Sequence, residues 1–310
     1  MAAYTTIDDP SAFFKCHLYS GNGSTNAQTF ADTDTDMQPD MVWIKSRSDG
    51  FSHMLYDAVR GVQKHIKPDS EAAEATDANS LTAFGSDGFT VGTNSDLNNS
   101  GDTYVAWCWK ESATAGFDIL SYSGTGSART QAHSLSAKPN WIIVKKTSAS
   151  GGSWFVYLTG GIPATNYVKL NETGATSASS SMWNNTEPTS SVFSLGTSSD
   201  VNGDGVTYVA YLWRSVQGFS KFGTYVGNGN ADGPMVYTGF SPAYVVVKNA
   251  GGDEAWNVWN NKTPGYNVAN KNLQPNSTVA EQTSSAGVKE IDFLSNGFKI
   301  RGSNTELNQS

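Results

Sequence analysis

Tyr104-Val105-Ala106-Trp107-Cys108-Trp109 returns as Tyr208-Val209-Ala210-Tyr211-Leu212-Trp213 about a hundred residues later, behind the same kind of polar turn. The chain is therefore a tandem repeat. Short apolar runs rich in Val, Ile, Trp and Tyr, bounded by Gly, Asn, Ser and Pro, are strand signals, so the repeated unit is β-rich.

Three further landmarks recur in a fixed order. Each unit opens on a tyrosine and a glycine-rich turn: Tyr19-Ser20-Gly21-Asn22-Gly23-Ser24, Tyr122-Ser123-Gly124-Thr125-Gly126-Ser127 and Tyr225-Val226-Gly227-Asn228-Gly229-Asn230. A proline six positions before a lysine then encloses an apolar run, from Pro39 to Lys45, Pro139 to Lys145 and Pro242 to Lys248. A phenylalanine after a polar turn follows, at Phe89, Phe193 and Phe298. This order divides the chain into an unrepeated arm at 1–12 and units at 13–113, 114–216 and 217–310. The expected fold is all-β, with three tandem antiparallel β-sandwich domains of jelly-roll or lectin-like kind. Linkers at 111–115 and 215–217 are short, which implies units held in a fixed relation. Helix is scarce, and residues 70–78 and 173–181 promise no more than a loop or one helical turn.

The third copy proceeds through Leu307-Asn308-Gln309-Ser310, which matches Leu97-Asn98-Asn99-Ser100, without reaching a counterpart of the Tyr-Val-Ala strand. Leaving out a central apolar strand would expose its partners' backbone groups and apolar faces. The third unit is accordingly expected to be truncated, with a natural chain that continues past Ser310.

Charged residues make up 15% of the chain, against roughly 25% in ordinary soluble domains, and Ser, Thr, Asn and Gly fill the deficit. With a net charge of −8 and no basic cluster beyond Lys145-Lys146, the sequence lacks the footprint that phosphate neutralisation requires, which excludes nucleic acid as a partner. No apolar run approaches the roughly 20 residues of a membrane span. The N-terminus lacks the basic start and apolar middle of a signal peptide, so the protein is expected to be made in a cytoplasm and not exported by the general route. The 2 cysteines, Cys16 and Cys108, both lie in the first unit, so a disulfide framework is not expected.

Asp200-Val201-Asn202-Gly203-Asp204-Gly205 matches the first half of a calcium loop and makes Asp200, Asn202 and Asp204 a candidate metal set. The second half fails, because Tyr211 stands where a bidentate glutamate is needed, and a recurring polar turn explains the stretch equally. Trp183, Asn184 and Asn185 read as a ligand-binding candidate, since an aromatic ring beside amides in a polar loop is how proteins stack on and hydrogen-bond sugars. The 4 histidines are scattered without metal spacing, and no nucleophile, phosphate-loop or zinc motif is present. No catalytic residue and no cofactor is therefore expected, and the protein reads as a non-enzyme. Carboxylate pairs at Asp32 and Asp34 or Asp253 and Glu254 read as solvated turns.

The landmarks in combination, from Tyr19-Ser20-Gly21-Asn22-Gly23-Ser24 through Gln38-Pro39-Asp40 and Ser86-Asp87-Gly88-Phe89 to Tyr104-Val105-Ala106-Trp107, resemble a repeat family of unknown function in bacteriophage virion proteins, especially those of marine and cyanobacterial phages. The resemblance covers about Ala12 to Ser310. It implies a virion structural protein, first of all a tail fibre or spike component that attaches to the host surface. A capsid decoration protein (head fibre or cement) is the alternative, and a polysaccharide-degrading enzyme the third. The partners it implies are other virion proteins, reached through residues 1–12, and a host-surface glycan; assembly as a symmetric homo-oligomer is the general expectation for such parts.

Overall fold

The repeated strands Thr103–Trp109 and Thr207–Trp213 carry apolar residues at consecutive positions, without the alternation of a half-exposed strand. Neighbouring side chains in a strand point to opposite faces, so a continuous apolar run demands cover on both. In the computed structural model, which describes residues 5–30 and 35–310, each of these strands is central in an antiparallel sheet buried on two sides. Asp32, Asp34 and the first residues of the arm lie outside the described residues.

In the first unit Thr103–Trp109, the closing strand, lies between the opening strand Phe14–Ser20 and Met41–Ser46, with Met54–Asp57 beyond. The second unit repeats this with Thr207–Trp213 between Phe117–Ser123 and Trp141–Lys146, followed by Trp154–Leu158, Asn166–Lys169 and Ser177–Ala178. The registers agree residue for residue. Tyr19 faces Tyr104 and Phe14 faces Trp109, as Tyr122 faces Tyr208 and Phe117 faces Trp213. In the third unit, among the described residues, Tyr244–Val247 pairs only with Asn257–Asn260.

A smaller sheet faces each of these larger ones. It contains Asn26–Thr29, Gly88–Val91 and Leu81–Gly85 in the first unit, Arg129–Ala132 and Val192–Leu195 in the second, and Met235–Tyr237, Gly297–Ile300 and Ile291–Leu294 in the third. Between facing sheets lies a core for each unit. Tyr104, Ala106 and Cys108 meet Leu81, Phe89 and Val91; Tyr208, Ala210 and Leu212 meet Phe193 and Leu195; Val245 and Val247 meet Phe298 and Ile300. The fold is thus all-β, with antiparallel sheets gathered into three domain-like units.

The alternate residues of the closing strands, Val105 and Trp107 with Val209, Tyr211 and Trp213, face away from their own unit's core. They enter a fourth cluster with Trp154, Val156, Trp256 and Val258, drawn from all three units. This central core makes the units one body. Around it the seams are equivalent. Backbone N–H groups of Glu74, Thr176 and Glu281 donate to the carbonyls of Thr147, Ala250 and Arg47, each at 2.9 Å, and so link first to second, second to third and third back to first. A second set runs the other way round: Trp154 Nε1 donates to the Lys67 carbonyl at 3.0 Å and Trp256 Nε1 to that of Lys169 at 2.9 Å, while His53 Nε2 lies 3.0 Å from the Gln274 carbonyl. Equivalent contacts that close after three steps define a pseudo-threefold ring.

Asp9 caps the short 3-10 turn Pro10–Ala12 by accepting from the Ser11 backbone N–H at 2.9 Å. Ahead of it, Ile7 is buried against Ala115 and Val216, so the described part of the arm packs across both linkers. Residues 70–78 contain no helical turn; Ala75–Thr76 instead pairs with Lys64–His65.

Candidate binding groove

The polar turn before each closing strand folds around one asparagine. Asn98, Asn202 and Asn308 each end a one-turn helix, Ser95–Asn98, Ser199–Asn202 and Thr305–Asn308, and each is fully buried. Their side-chain oxygens accept from the backbone N–H of Asn22 at 2.9 Å, Thr125 at 3.0 Å and Asn228 at 2.7 Å. Their amide groups donate back to carbonyls at Ser24 and Gly92, Ser127 and Gly196, and Asn230 and Gly302. The opening tyrosine completes the joint: Tyr19, Tyr122 and Tyr225 donate to the carbonyls of Leu97, Val201 and Leu307. A buried amide that satisfies three backbone groups is expensive to remove, which is why the turn recurs.

This joint takes Asn202 out of the calcium reading. Its oxygen also accepts from Arg129 Nε at 3.2 Å, and an oxygen already held by an N–H and a guanidinium offers a cation nothing. Asp200 lies 3.8 Å from Lys146 Nζ, and no group of three His, Cys, Asp or Glu side chains among the described residues converges as a metal site.

Trp183 corrects the sugar-binding reading. It is only 2% exposed, closes the one-turn helix Ser180–Trp183, and sets its ring edge-on to Tyr157 with centroids 6.3 Å apart. The polar neighbours hid a core residue: Met182 and Trp183 form the inward side of the turn while Asn184 and Asn185, both left-handed with φ of 51° and 48°, stay exposed. Trp256 and Trp259 are likewise buried. Asp253, read as a solvated turn, accepts from the Ala175 backbone N–H at 2.9 Å across the seam between second and third units.

The site that sequence reasoning located only indirectly is a groove of about 780 Å³ in the third unit. Its walls are Ser220–Gly227 on one side and Tyr244–Asn249 on the other, with Trp109, Trp141 and Trp213 at the central end and the helix Thr305–Asn308 at the other. Among the described residues, Tyr244–Val247 has no strand on the groove side, and Ser220–Gly227 pairs with nothing beyond the isolated bridge from Ser220 to Val216. The groove is apolar. Tyr244 meets Trp107 and Trp109 edge-to-face with ring centroids 5.3 Å and 5.5 Å apart, and Phe222 lies 5.7 Å from Trp141. Val226 is 84% exposed where the other units carry Ser20 and Ser123, and Tyr237 is 63% exposed. Lys248, half-buried at the rim, donates to the carbonyls of Asn249 at 2.7 Å and Gly252 at 3.0 Å, and burial holds its pKa down to about 8. Open backbone edges flanking an apolar trough can take an extended segment; they present no nucleophile beside a base.

Three β-rich units closed into a ring about a common core, one of them with an open sheet edge, define an all-β repeat protein built as a single rigid body. The chain belongs to the family described as a domain of unknown function, DUF7483, whose model matches residues 9–310. That match runs through all three units and not over one of them. No curated protein and no solved structure matches the chain. No helix among the described residues is long and apolar enough to cross a membrane.

Proposed function

We propose that the protein is a structural component of a bacteriophage particle, a tail fibre or spike part whose β-sandwich units are presented for attachment to the host surface. The observation that carries this reading is the closed ring. Three units share one core and are tied at every seam by the same backbone hydrogen bond and a side-chain contact at the equivalent place, from Trp154, Trp256 or His53, which favours a rigid bearing part over a catalyst that must open and close. A ring of this internal symmetry can also seat on a threefold axis of a particle, and symmetric assembly is the rule for such parts. The surface is poor in charge and rich in Ser, Thr, Asn and Gly, as suits a part facing the outside of a cell. The motif resemblance set out above points the same way.

Immunogold labelling of particles with antibody to the purified chain tests the reading. Label on the tail, together with saturable binding of the protein to host cells, is the expected result. Label confined to capsid faces makes it a decoration protein, and no label on any particle removes the virion role.

A further inference from the structure

We infer that the groove in the third unit is a receptor for one β-strand: an extended segment of the pattern Thr-Tyr-Val-Ala-aromatic-x-Trp, inserted antiparallel between Ser220–Tyr225 and Tyr244–Val247. The occupant is defined by the two sister units, where the same place is filled. In the second unit Thr207–Trp213 lies between Phe117–Ser123 and Trp141–Lys146, with Tyr208 opposite Tyr122 and Lys146, Ala210 opposite Leu120 and Val144, and Trp213 opposite Phe117 and Trp141. Transferred through the shared landmarks, the incoming tyrosine stands opposite Tyr225 and Asn249, its alanine opposite Gly223 and Val247, and its last tryptophan opposite Ser220 and Tyr244.

A second, independent observation concerns the tyrosine hydroxyl. In the first unit Tyr104 Oη accepts from the Asn99 backbone N–H and donates to the Ser95 carbonyl, both at 2.8 Å. In the second unit Tyr208 does the same at Gly203, 2.7 Å, and Ser199, 2.6 Å. The equivalent pair in the third unit is the N–H of Gln309 and the carbonyl of Thr305, both at the end of the groove. Among the described residues no tyrosine reaches them. Asn249 Nδ2 donates to the Thr305 carbonyl at 2.9 Å instead. The recess for the strand's first anchor is thus present, with its acceptor held by a surface amide that a hydroxyl can displace.

Both faces of the incoming strand would be covered. Its tyrosine and alanine side meets Val245, Val247 and Phe298, and its valine and tryptophan side meets the central core at Trp109 and Trp213. Strand addition to an open edge draws affinity from main-chain hydrogen bonds and specificity from pockets for alternate side chains, and here both are in place. Phase therefore matters: a slip of one residue sends every side chain to the wrong face. The inference stands apart from any virion role, since it rests on groove geometry alone.

The test uses the 310-residue chain and a synthetic peptide, Gly-Val-Thr-Tyr-Val-Ala-Tyr-Leu-Trp, copied from Gly205–Trp213. Calorimetry and amide hydrogen exchange are expected to show saturable one-to-one binding, with new protection at residues 220–226 and 244–249. Replacing the peptide's first tyrosine, the counterpart of Tyr208, by phenylalanine should weaken binding about tenfold, as expected for loss of a hydroxyl that serves two buried backbone groups. A peptide of the same composition with neighbours exchanged, so that its two faces trade places, should not bind. No binding of the copied peptide, or equal binding of the exchanged one, overturns the proposal. So does a chain that is dimeric with its groove amides already protected, which would make a second copy the occupant.

Discussion

In the second unit Trp141–Lys146 lies between two neighbouring strands, and in the third its counterpart Tyr244–Val247 has one. The sequences are close: Trp-Ile-Ile-Val-Lys against Tyr-Val-Val-Val-Lys, each enclosed by a proline and a lysine at the same spacing. Burial differs at one place: Ile143 is nearly fully buried, whereas its counterpart Val246 is only part-buried along the groove, while Trp141 and Tyr244 are part-buried alike. The landmarks that set a strand's position are local, but whether its edge and faces are covered depends on a segment some seventy residues away, the separation of Ile142 and Leu212 in the ladder. The turn joint formed by Asn308 survives without that strand, so joint and strand are separable parts of the unit.

The sharpest way to break the comparison is at the seams. Trp154 is fully buried in the central core and donates across to the first unit, and Trp154→Ala is expected to cost about 3–5 kcal/mol by loss of packing. Trp256→Ala, at the equivalent place beside the open groove, should cost nearer to about 2 kcal/mol because its surroundings can relax. Urea unfolding monitored at two wavelengths measures both. Equal costs would mean that the third unit is packed as tightly as the second.

The turn joint offers a smaller contrast. Asn202→Ala strands several buried backbone groups and is expected to destabilise by about 3 kcal/mol, while Asn308→Ala, which closes no strand above it, should cost about half as much. Thermal melts of the two variants decide it, and a larger loss for Asn308→Ala would reverse the argument.

The smallest effect is electrostatic. Lys145, enclosed in the second unit, and Lys248, at the groove rim, are both held down to about 8 from an ordinary 10.5 by burial. The unfolded chain keeps these protons up to about 10.5 and the folded chain releases them near 8. Between those values the unfolded state binds more protons, so stability rises with pH, and below 8 the folded state carries the whole cost of the buried charge. Buried tyrosines such as Tyr211, whose ionisation is pushed well above 10, act in the opposite sense at higher pH, so the useful range is 8 to 10. Lys145→Met is expected to flatten the rise of Tm over that range by about 2 °C, and Lys248→Met by less. An unchanged slope in Lys145→Met would show that its proton is not the source.

Much of the strand pattern was legible because it is local. The opening tyrosines, the proline-to-lysine runs and the phenylalanine turns all mark strands or joints where the landmarks put them. Even the burial of both faces was foreshadowed, since Tyr-Val-Ala-Trp-Cys-Trp shows no alternation. Trp183 was misread because a short helical turn carries it inward while the Asn184 and Asn185 beside it stay outside, and composition averages over that difference. The calcium-like stretch is a recurring polar turn because Asn202 spends its oxygen and its amide on backbone groups from Thr125 to Ser127, more than seventy positions earlier in the chain. His53, Trp154 and Trp256 stand at matching places, eight or nine residues after the landmark lysine, but nothing local states that each reaches across an equivalent seam to another unit.

By itself the sequence determined that this protein is β-rich and threefold repeated, because those properties rest on neighbours along the chain and on landmarks that recur in a fixed order. Only the tertiary structure decided that the units form a ring about one shared core and that the third keeps an open edge. The reason is physical: a strand's second face is buried by residues from another unit, and no local pattern states which unit that is.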